Sequence, residues 1–377
     1  MITSAAPWDG VTQRPHHVAR ELANRGWKVL FVDYPITILS PIKNHALTKR
    51  VIPKQLARTI TETENGGSIA VISPGAILPF GNLYRSINRI NQYFIAAQIR
   101  SFLTDNSILL STLPSSVDLI PWLHPSLVFY DCVDYHAGFS GMINPDVVNE
   151  MERDLVFASK TVFATAGTLW TRMRQYHRDV RLVPNAAELE HFAKAINAPL
   201  HKLLSSIPEP RIGFIGGIAS WVHIEMLADI AKARPNVQLV MIGPVETDVS
   251  PLTKLPNVHL LGRQPYNELP QFLHGFDATL YAFIDNELTK GVNPIKVYEY
   301  IAAGKEVIAT PTTELQKFAD IVWLTEDAAK AAEALDKILS GERKTSAEER
   351  EKFNQNNSWT ARTDAIEKAI IEWMPMP

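Results

Sequence analysis

Short apolar runs alternate with amphipathic stretches along almost the whole chain of 377 residues. The apolar runs, such as "WKVLFVDY" and "VQLVMIG", have the length of buried strands, and the stretches between them carry apolar residues at helical spacing. This alternation predicts an α/β protein with parallel sheets. We expect one long irregular segment within it, from Pro35 to about Gly67.

The same pattern occurs in two successive parts of the chain. About seven strand candidates precede a proline- and serine-containing linker at residues 199–210, and the alternation then restarts. We predict two doubly wound, Rossmann-like domains, residues 1–198 and 199–357, with a final amphipathic helix at 358–377 packing back on the first. Two such domains in series predict a ligand-binding cleft between the carboxyl ends of their sheets.

Composition narrows the class of protein. Hydrophobic content of 46% and charged content of 20% are those of a globular chain, and the longest apolar runs are too short to cross a bilayer. The first residues lack the basic and long apolar regions of a signal peptide, so we expect a cytoplasmic protein. A lone cysteine, Cys132, excludes an internal disulfide and a thiolate zinc site, and is expected to be buried.

The small net charge of −3 conceals an asymmetry along the chain. Residues 1–110 carry 12 basic and 6 acidic side chains, whereas residues 206–377 carry 17 and 24. Most of the basic excess lies in residues 43–58 and 83–100. Two solvated faces would explain this uneven charge. The basic excess of residues 1–110 would also favour docking on the inner, anionic face of the cell membrane. We expect no nucleic-acid partner, because the chain has no known nucleic-acid-binding motif and is mildly acidic.

Several chemistries are disfavoured by missing motifs. The chain has no P-loop and no G-x-S-x-G nucleophile turn, and "GFIGGIAS" lacks the G-x-G-x-x-G spacing of nicotinamide enzymes. His16 and His17 are adjacent, so on a helix they point about 100° apart and cannot readily share a metal. We expect no metal site there, and an exposed or cleft-lining histidine instead.

The segment "GVNPIKVYEYIAAGKEVIAT", residues 291–310, raises the first specific question about ligands. It predicts a helix capped by Asn293, with Pro294 at its first position, leading into a buried strand. Lys296 then lies in the first turn, where the helix dipole disfavours a cation by a few tenths to about 1 kcal/mol. An anionic ligand at the helix start would explain this placement.

A nucleoside diphosphate has the chemistry that this helix start could bind. The N–H groups of Ile295 and Lys296 have no acceptor within the helix, and Glu299 could accept hydrogen bonds from a ribose diol. The alternative is a simple Lys296–Glu299 pair, which contributes only about 0.2–0.5 kcal/mol. Glycine turns after two predicted strands, at Gly10 and Gly217, would let backbone approach the same kind of ligand.

These residues resemble GT-B glycosyltransferases, especially bacterial members similar to glycosyltransferase family four. "NPIKVYEYIAAGKEVIAT" resembles the donor-site segment of that family. Further segments match in the expected order and cover nearly the whole chain: "PWDGVTQRPHHVARELANRGWKVLFVDYP", "FYDCVDY", "VPNAAELEHF", "IGFIGGIASW", "VQLVMIGPV" and "NVHLLGRQPYNELPQFLHGFDATLYAF".

The resemblance implies transfer of a sugar from a UDP- or GDP-linked donor to a glycan or lipid-linked acceptor, in polysaccharide or glycolipid synthesis. It places Glu299 on the ribose and Lys296 on the diphosphate, and it implies neither a cofactor nor an obligatory metal. The base would rest against backbone near Gly243 and Gly262, with Arg263 adding charge near the donor.

The sequence departs from the family pattern at one position. A second glutamate that contacts the donor sugar is replaced by Gly291, so the sugar cannot be inferred from the resemblance. Lys290 and Asn293 are the substitutes available nearby. Loss of a carboxylate here suits an acidic donor sugar, such as a uronic acid.

Candidate acceptor-side residues lie in the first predicted domain. Asp131 and Asp134 flank the end of the strand "LVFYDCVDY", and one of them could serve as a base or orient the sugar. Either could instead cap the following turn. Further candidates for the acceptor side of the cleft are Gly10, Gln13, Arg14 and His136.

Two other functions remain open from the sequence. A GT-B nucleotide-sugar 2-epimerase would use the same donor residues without an acceptor. A non-catalytic scaffold or sensor would bind the nucleotide sugar but would not require Asp131 or Asp134.

Overall fold

The computed structural model describes residues 1–10, 12–40, 58–75, 77–139 and 141–375. The chain forms two compact units, residues 1–184 with 362–377, and residues 185–361. No described helix has the length and apolar character required to cross a membrane.

The first unit is built on an eight-stranded sheet with the order β3-β4-β2-β1-β5-β6-β7-β8. All neighbouring strands are parallel except β3 and β4. Its strands are β1 Ile2–Thr3, β2 Lys28–Val32, β3 Arg58–Glu62, β4 Ser68–Ile72, β5 Ile108–Ser111, β6 Leu127–Cys132, β7 Thr161–Ala164 and β8 Val180–Leu182. Its helices are α1 Arg14–Asn24, α2 Arg85–Ile99, α3 Ile120–Leu123, α4 Pro145–Ala158 and α5 Gly167–Arg174.

The second unit is built on a six-stranded parallel sheet with the order β11-β10-β9-β12-β13-β14. Its strands are β9 Arg211–Ile215, β10 Gln238–Ile242, β11 Val258–Leu260, β12 Ala278–Tyr281, β13 Glu306–Ala309 and β14 Trp323–Leu324. Its helices are α6 Leu189–Ala193, α7 Ile224–Ala233, α8 Ser250–Thr253, α9 Leu269–His274, α10 Glu287–Lys290, α11 Ile295–Ala302, α12 Ala328–Leu339 and α13 Ala347–Asn356. The last helix, α14 Trp359–Trp373, belongs to the first unit from residue 362 onwards.

Helices cover both faces of each sheet, because the strands are apolar on both sides. Along β10, Val240 and Ile242 belong to one buried cluster, while Leu239 and Met241 belong to the other. Such near-continuous apolar strands are typical of parallel sheets. The α/β architecture predicted from the sequence is confirmed.

Strand order in both sheets reverses beside the first strand of each unit. In the second unit β9 lies between β10 and β12, and in the first unit β1 lies between β2 and β5. Ligands of doubly wound proteins bind at such a switch point, outside the carboxyl ends of the strands. The loops after β1 and β9 are therefore the expected positions of a ligand-binding site.

The division between the units comes at Pro184 and Asn185, whereas the sequence led us to place it at residues 198 and 199. The physical reason is that Phe192 and Ala195 pack into the core of the second unit. Residues 202–204 within the predicted linker form a short 3-10 helix, and Leu204 lies in the same core.

Two of the elements that were not predicted are β3 and α13. β3 lies in the segment from Pro35 to Gly67 that was expected to be irregular, and it pairs antiparallel with β4 at the sheet edge. Residues 41–57 of that segment, with most of the basic stretch 43–58, lie outside the described residues. The other element, α13, begins at a capping box of Ser346 and Glu349 and has no fully buried residue, so it carries no apolar stripe.

The last helix contributes to the core of the first unit. Ile366, Ala369 and Ile370 of α14 belong to the same buried cluster as residues of α1 and β2. Burial of this face explains why an amphipathic helix follows the charged region.

We predict that Ile366→Ala lowers the free energy of unfolding of the first unit by about 2–4 kcal/mol, because it leaves a cavity in a closed core. Ile366 is fully buried, whereas Ile371 on the same helix is 55% exposed and provides a matched control. Urea denaturation of both alanine variants measures the difference. Equal effects would contradict the packing of α14 in this core.

Candidate functional site

The start of α11 lies at the carboxyl edge of the second sheet, because α11 connects the parallel neighbours β12 and β13. The Tyr300 hydroxyl accepts a hydrogen bond from the Ile215 N–H at 2.8 Å and donates one to the Ile215 carbonyl oxygen at 3.2 Å. These two bonds fix α11 against the end of β9. The helix start is thereby held beside the strand-order switch point.

Lys296 and Glu299 form a close pair on α11. Lys296 Nζ donates to Glu299 Oε2 at 2.6 Å, with the lysine side chain 29% exposed and the glutamate side chain 7% exposed. Burial raises the pKa of Glu299, and the lysine opposes that shift. The two predicted donor residues thus share one face of the helix, with a cation at its solvent-facing side and a carboxylate behind it.

Three further polar side chains lie around this pair, and the sequence analysis did not identify them as site residues. The Tyr266 hydroxyl donates to Glu188 at 3.1 Å, and the His191 ring stacks on Tyr266 with centroids 4.5 Å apart. Glu188 and His191 both influence the pKa of Glu299, Glu188 raising it and His191 lowering it. No local pattern singled them out, although Glu188 and His191 lie in the segment "VPNAAELEHF" and Tyr266 lies in "NVHLLGRQPYNELPQFLHGFDATLYAF".

Glycine turns after β9, β10 and β11 lie next to one another. Gly243 N–H donates to the Gly262 carbonyl oxygen, and Gly216 N–H donates to the Ile242 carbonyl oxygen, both at 2.9 Å. Gly243 has φ +150°, and a Cβ built there would lie 1.8 Å from the Gly216 carbonyl oxygen, so no other residue fits.

The other predicted residues at these turns leave backbone accessible. Gly262 has φ +65° with open space where a side chain would be, and a Cβ on Gly217 would meet only Trp221, at 3.9 Å. Arg263 follows Gly262 and is exposed. The carboxyl edge of this sheet is therefore a surface of backbone that a planar ligand could approach.

Asn293 does not cap α11, contrary to the sequence prediction. Pro294 occupies the N-cap position, and Asn293 Oδ1 accepts instead from the Asn185 N–H at 2.8 Å. Asn185 Nδ2 donates to the Asn293 carbonyl oxygen at 3.0 Å, and Asn293 Nδ2 donates to Glu314 at 3.2 Å. This buried network ties the residue before Pro294 to the chain after β8. The reason for the error is that these partners are remote in sequence.

In the first unit, Arg14 and Asp131 form a buried two-point ion pair. Arg14 Nε and Nη2 donate to the two carboxylate oxygens at 2.8 and 3.0 Å, and Nη1 donates to the Pro184 carbonyl oxygen at 2.9 Å. Both side chains are almost fully buried. The pair links the start of α1 to the end of β6.

Asp134 has a different environment, although it is only three residues further on. It lies past the end of β6, is half-buried, and loss of contact with water raises its pKa to about 7. A carboxyl group with such a pKa can exchange a proton near neutral pH. Of the two predicted aspartates, Asp134 has the properties of a base.

His136 follows in a short 3-10 helix, residues 136–138. Burial lowers its pKa to about 4, so its ring is neutral at pH 7. Its Nε2 atom is buried and has no hydrogen-bond partner among the described residues. Asp134 and His136 therefore place an acid–base group and a neutral imidazole in one turn.

The remaining residues at the start of α1 make local hydrogen bonds. Gln13 is the N-cap, and its N–H donates to His16 Nδ1 at 3.1 Å, while Gly10 N–H donates to the Pro7 carbonyl oxygen at 2.9 Å. His16 Nε2 lies 3.2 Å from the Pro7 carbonyl oxygen. His16 is fully buried and His17 is 9% exposed, so the expectation of an exposed or cleft-lining histidine was wrong. Cys132 is buried, as predicted.

Comparison with known families and proteins shows where this architecture occurs. A family model described as "Glycosyl transferases group 1" matches residues 209–341. Protein TuaH of Bacillus subtilis (strain 168), described as a candidate teichuronic acid biosynthesis glycosyltransferase, is 28% identical over 210 residues, which cover 50% of this chain and 52% of TuaH. The chain thus matches about half the length of this curated relative.

Solved structures match over the whole chain at low sequence identity. Sucrose-phosphate synthase from Thermosynechococcus elongatus has a TM-score of 0.69 and 14% identity, covering 98% of each chain. A trehalose-6-phosphate structure from E. coli, bound with UDP-2-fluoro glucose, has a TM-score of 0.72 and 11% identity, covering 100% of this chain and 99% of that one. The chain is a protein of the GT-B fold, and its residues 209–341 are similar to group 1 glycosyltransferases.

Proposed function

We propose that the protein is a glycosyltransferase that moves a sugar from a UDP- or GDP-linked donor to a glycan or lipid-linked acceptor. The observation that carries the proposal is the start of α11, where Lys296 and Glu299 lie at the carboxyl edge of the sheet beside its switch point. The group 1 family match covers this helix, and the relative in B. subtilis is described as acting in teichuronic acid biosynthesis. These similarities support a role in polysaccharide or glycolipid synthesis.

The donor diphosphate would bind at the start of α11. The first N–H groups of the helix, including those of Ile295 and Lys296, have no acceptor within it, and anions are stabilised there. Lys296 is exposed enough to turn from Glu299 towards a phosphate, which would leave the Glu299 carboxylate to accept from a ribose diol. The match to a protein bound with UDP-2-fluoro glucose supports a ligand of this kind.

The nucleotide base would rest on the backbone surface formed by the glycine turns. Gly217, Gly243 and Gly262 bring backbone to the edge without side chains, and Arg263 would add positive charge there. Tyr266 and His191 supply aromatic faces near Glu299. This arrangement holds the nucleotide through backbone and ring contacts.

The chemical step would use electrostatics at the leaving group and a base at the acceptor. As the acceptor oxygen bonds to the anomeric carbon, the bond to the diphosphate breaks, and Lys296 with the helix N–H groups would stabilise the charge that develops. This step needs no metal. In an inverting reaction Asp134 would take the proton of the acceptor hydroxyl, and in a retaining one it would orient the sugar.

Asp131 and Arg14 would position the residues that take part in this step. Their ion pair fixes the end of β6, from which the turn carrying Asp134 and His136 departs. His136, with its unpartnered Nε2, would contact a hydroxyl of the acceptor or donor sugar. Gln13 and Gly10 shape the neighbouring turn.

We propose an acidic donor sugar, such as a uronic acid. Gly291 stands where the related family has a carboxylate, and Lys290 and Asn293 flank the gap. The name of the B. subtilis relative, which refers to teichuronic acid, agrees with this choice. A cytoplasmic location on the inner face of the membrane is part of the same proposal.

Lys296→Ala should weaken binding of UDP or GDP by about 10–100-fold, because it removes a charge-assisted contact to the diphosphate. Glu299→Gln should weaken binding by a smaller factor. Isothermal titration calorimetry with each nucleotide measures both, and Lys202→Ala, an exposed lysine of the second unit, is the control. If no nucleoside diphosphate bound the wild-type protein, the proposal would fail.

Asp134→Asn should lower turnover by about 10²–10⁴-fold while leaving nucleotide binding unchanged, because it removes only the base. Nucleotide release with donor and acceptor present measures this loss, and Asp105→Asn is an exposed control. Sugar conversion by the wild type with donor alone would indicate an epimerase. Nucleotide binding without any turnover would indicate a scaffold or sensor.

The same variant tests the pKa directly. The folded protein holds a proton on Asp134 up to about pH 7, whereas the ordinary pKa is 3.8, so this group removes stability as pH rises between those values. Above pH 7, Asp134→Asn should be more stable than the wild type by about 1–3 kcal/mol, and the gain should vanish near pH 4. Denaturation at several pH values measures this; a gain that did not change with pH would contradict the raised pKa.

Donor competition tests the sugar. We expect a nucleotide-linked uronic acid to be transferred in preference to the corresponding neutral hexose, because no carboxylate at position 291 repels it. A clear preference for the neutral donor would rule this out.

A further inference from the structure

Helix α2 differs from an ordinary surface helix, because the first half of its buried face is polar and much of its exposed face is apolar. The first half of the buried face carries three amide side chains, Asn88, Asn91 and Gln92, and the second half carries Ile95, Ala96 and Ile99, which pack in an apolar core. Surface helices of globular proteins usually bury an apolar stripe and present polar residues to water. The exposed apolar residues of α2 therefore need an explanation.

The buried amides are fully engaged in hydrogen bonds. Asn88 Nδ2 donates to Asp118 at 2.7 Å and to the Ser115 carbonyl oxygen at 2.9 Å. Asn91 exchanges two bonds with the backbone of Leu78, both at 2.9 Å, and Gln92 Nε2 donates to Asn88 at 3.2 Å. The amides therefore hold α2 in a fixed rotation, with the opposite face directed outwards.

That outward face is apolar and aromatic. Ile90, Tyr93 and Phe94 are 47%, 48% and 55% exposed, and the Tyr93 ring meets the ring of Trp122, itself 43% exposed, at 4.8 Å. We call Ile90, Tyr93, Phe94 and Trp122 the aromatic face. Contiguous apolar surface of this kind marks a site of interaction.

The charged residues of α2 itself are all positive. Residues 85–102, comprising α2 and the 3-10 turn that follows it, contain three arginines and no acidic residue. Arg85 is engaged with Asp118, Glu150 and Asp154, but Arg89 is 64% exposed, 3.8 Å from Asp118, and Arg100 is also exposed. Arg89 and Arg100 lie on the same side of the helix as Tyr93, because residues 89, 93 and 100 recur at helical spacing.

We propose that the aromatic face is seated in the interfacial layer of an anionic lipid bilayer, with Arg89 and Arg100 contacting lipid phosphates. Tyrosine and tryptophan side chains favour the interface between headgroups and acyl chains, and a helix of this composition lies in the membrane plane. α2 has 15 residues and is about 22 Å long, which suits a helix lying flat. A protein partner would not require the excess of positive charge.

Docking on a membrane rests on the proposed function, because a lipid-linked acceptor would be reached at that surface. Vesicle binding itself requires no nucleotide. The two can therefore fail separately.

Co-flotation with phosphatidylglycerol-containing vesicles, without nucleotide, tests the proposal. The wild type should float with these vesicles and much less with pure phosphatidylcholine vesicles, and high salt should release it. Tyr93→Ser with Phe94→Ser should weaken binding by at least about 10-fold. Arg89→Gln and Arg100→Gln should each weaken it by about fivefold.

The matched control is Phe157→Ser, which removes an equally exposed aromatic ring of the first unit that packs on Tyr176 instead. It should leave flotation unchanged. Absence of binding to anionic vesicles at low salt would overturn the proposal, as would equal losses in the control. A monomer–dimer change caused by the Tyr93 and Phe94 substitutions, seen by sedimentation without vesicles, would also overturn it and assign the face to a second copy of the chain.

Discussion

The position of one helix start governs the proposed donor site. Parallel strands end at a common edge, so the connection from β12 to β13, which contains α10 and α11, leaves from the edge that carries the glycine turns. The first N–H groups of α11 have no acceptor within the helix. Two sets of hydrogen bonds then fix its location, from Tyr300 to Ile215 and from Asn185 to Asn293. A cation in the first turn, unfavourable for an isolated helix, is tolerated because the rest of the unit determines where that turn lies. The Lys296–Glu299 pair accounts for part of this tolerance, and an anionic ligand would account for the rest.

The two aspartates at the end of β6 show how environment separates similar residues. Asp131 lies within the strand and is neutralised by Arg14, whereas Asp134 lies beyond the strand with a pKa near 7. The sequence alone could not distinguish them, because Arg14 is more than a hundred residues away from its partner. What separates the two carboxylates is that only Asp131 receives a buried guanidinium.

Local patterns were sufficient to predict much of the fold. The α/β alternation, all the strands except β3 and the helix bearing Lys296 and Glu299 follow from apolar periodicity and from proline and glycine signals. Helix α12 was missed although it buries Ala331, Leu335 and Ile338 at helical spacing. Two other missed elements have no such signal. Edge strand β3 depends on backbone pairing, and α13 has no apolar stripe. Other features depend on contacts between residues remote in sequence, which no local pattern contains. They are the role of Asn293, the cluster of Glu188, His191 and Tyr266, and the buried amides of α2.

The measurement that most directly tests the central claim is a crystal structure of the protein with a nucleoside diphosphate. The account predicts diphosphate oxygens within hydrogen-bonding distance of the N–H groups at the start of α11 and of Lys296 Nζ, with the ribose hydroxyls on Glu299. A nucleotide bound elsewhere, with Lys296 and Glu299 still paired and touching no part of it, would contradict the account.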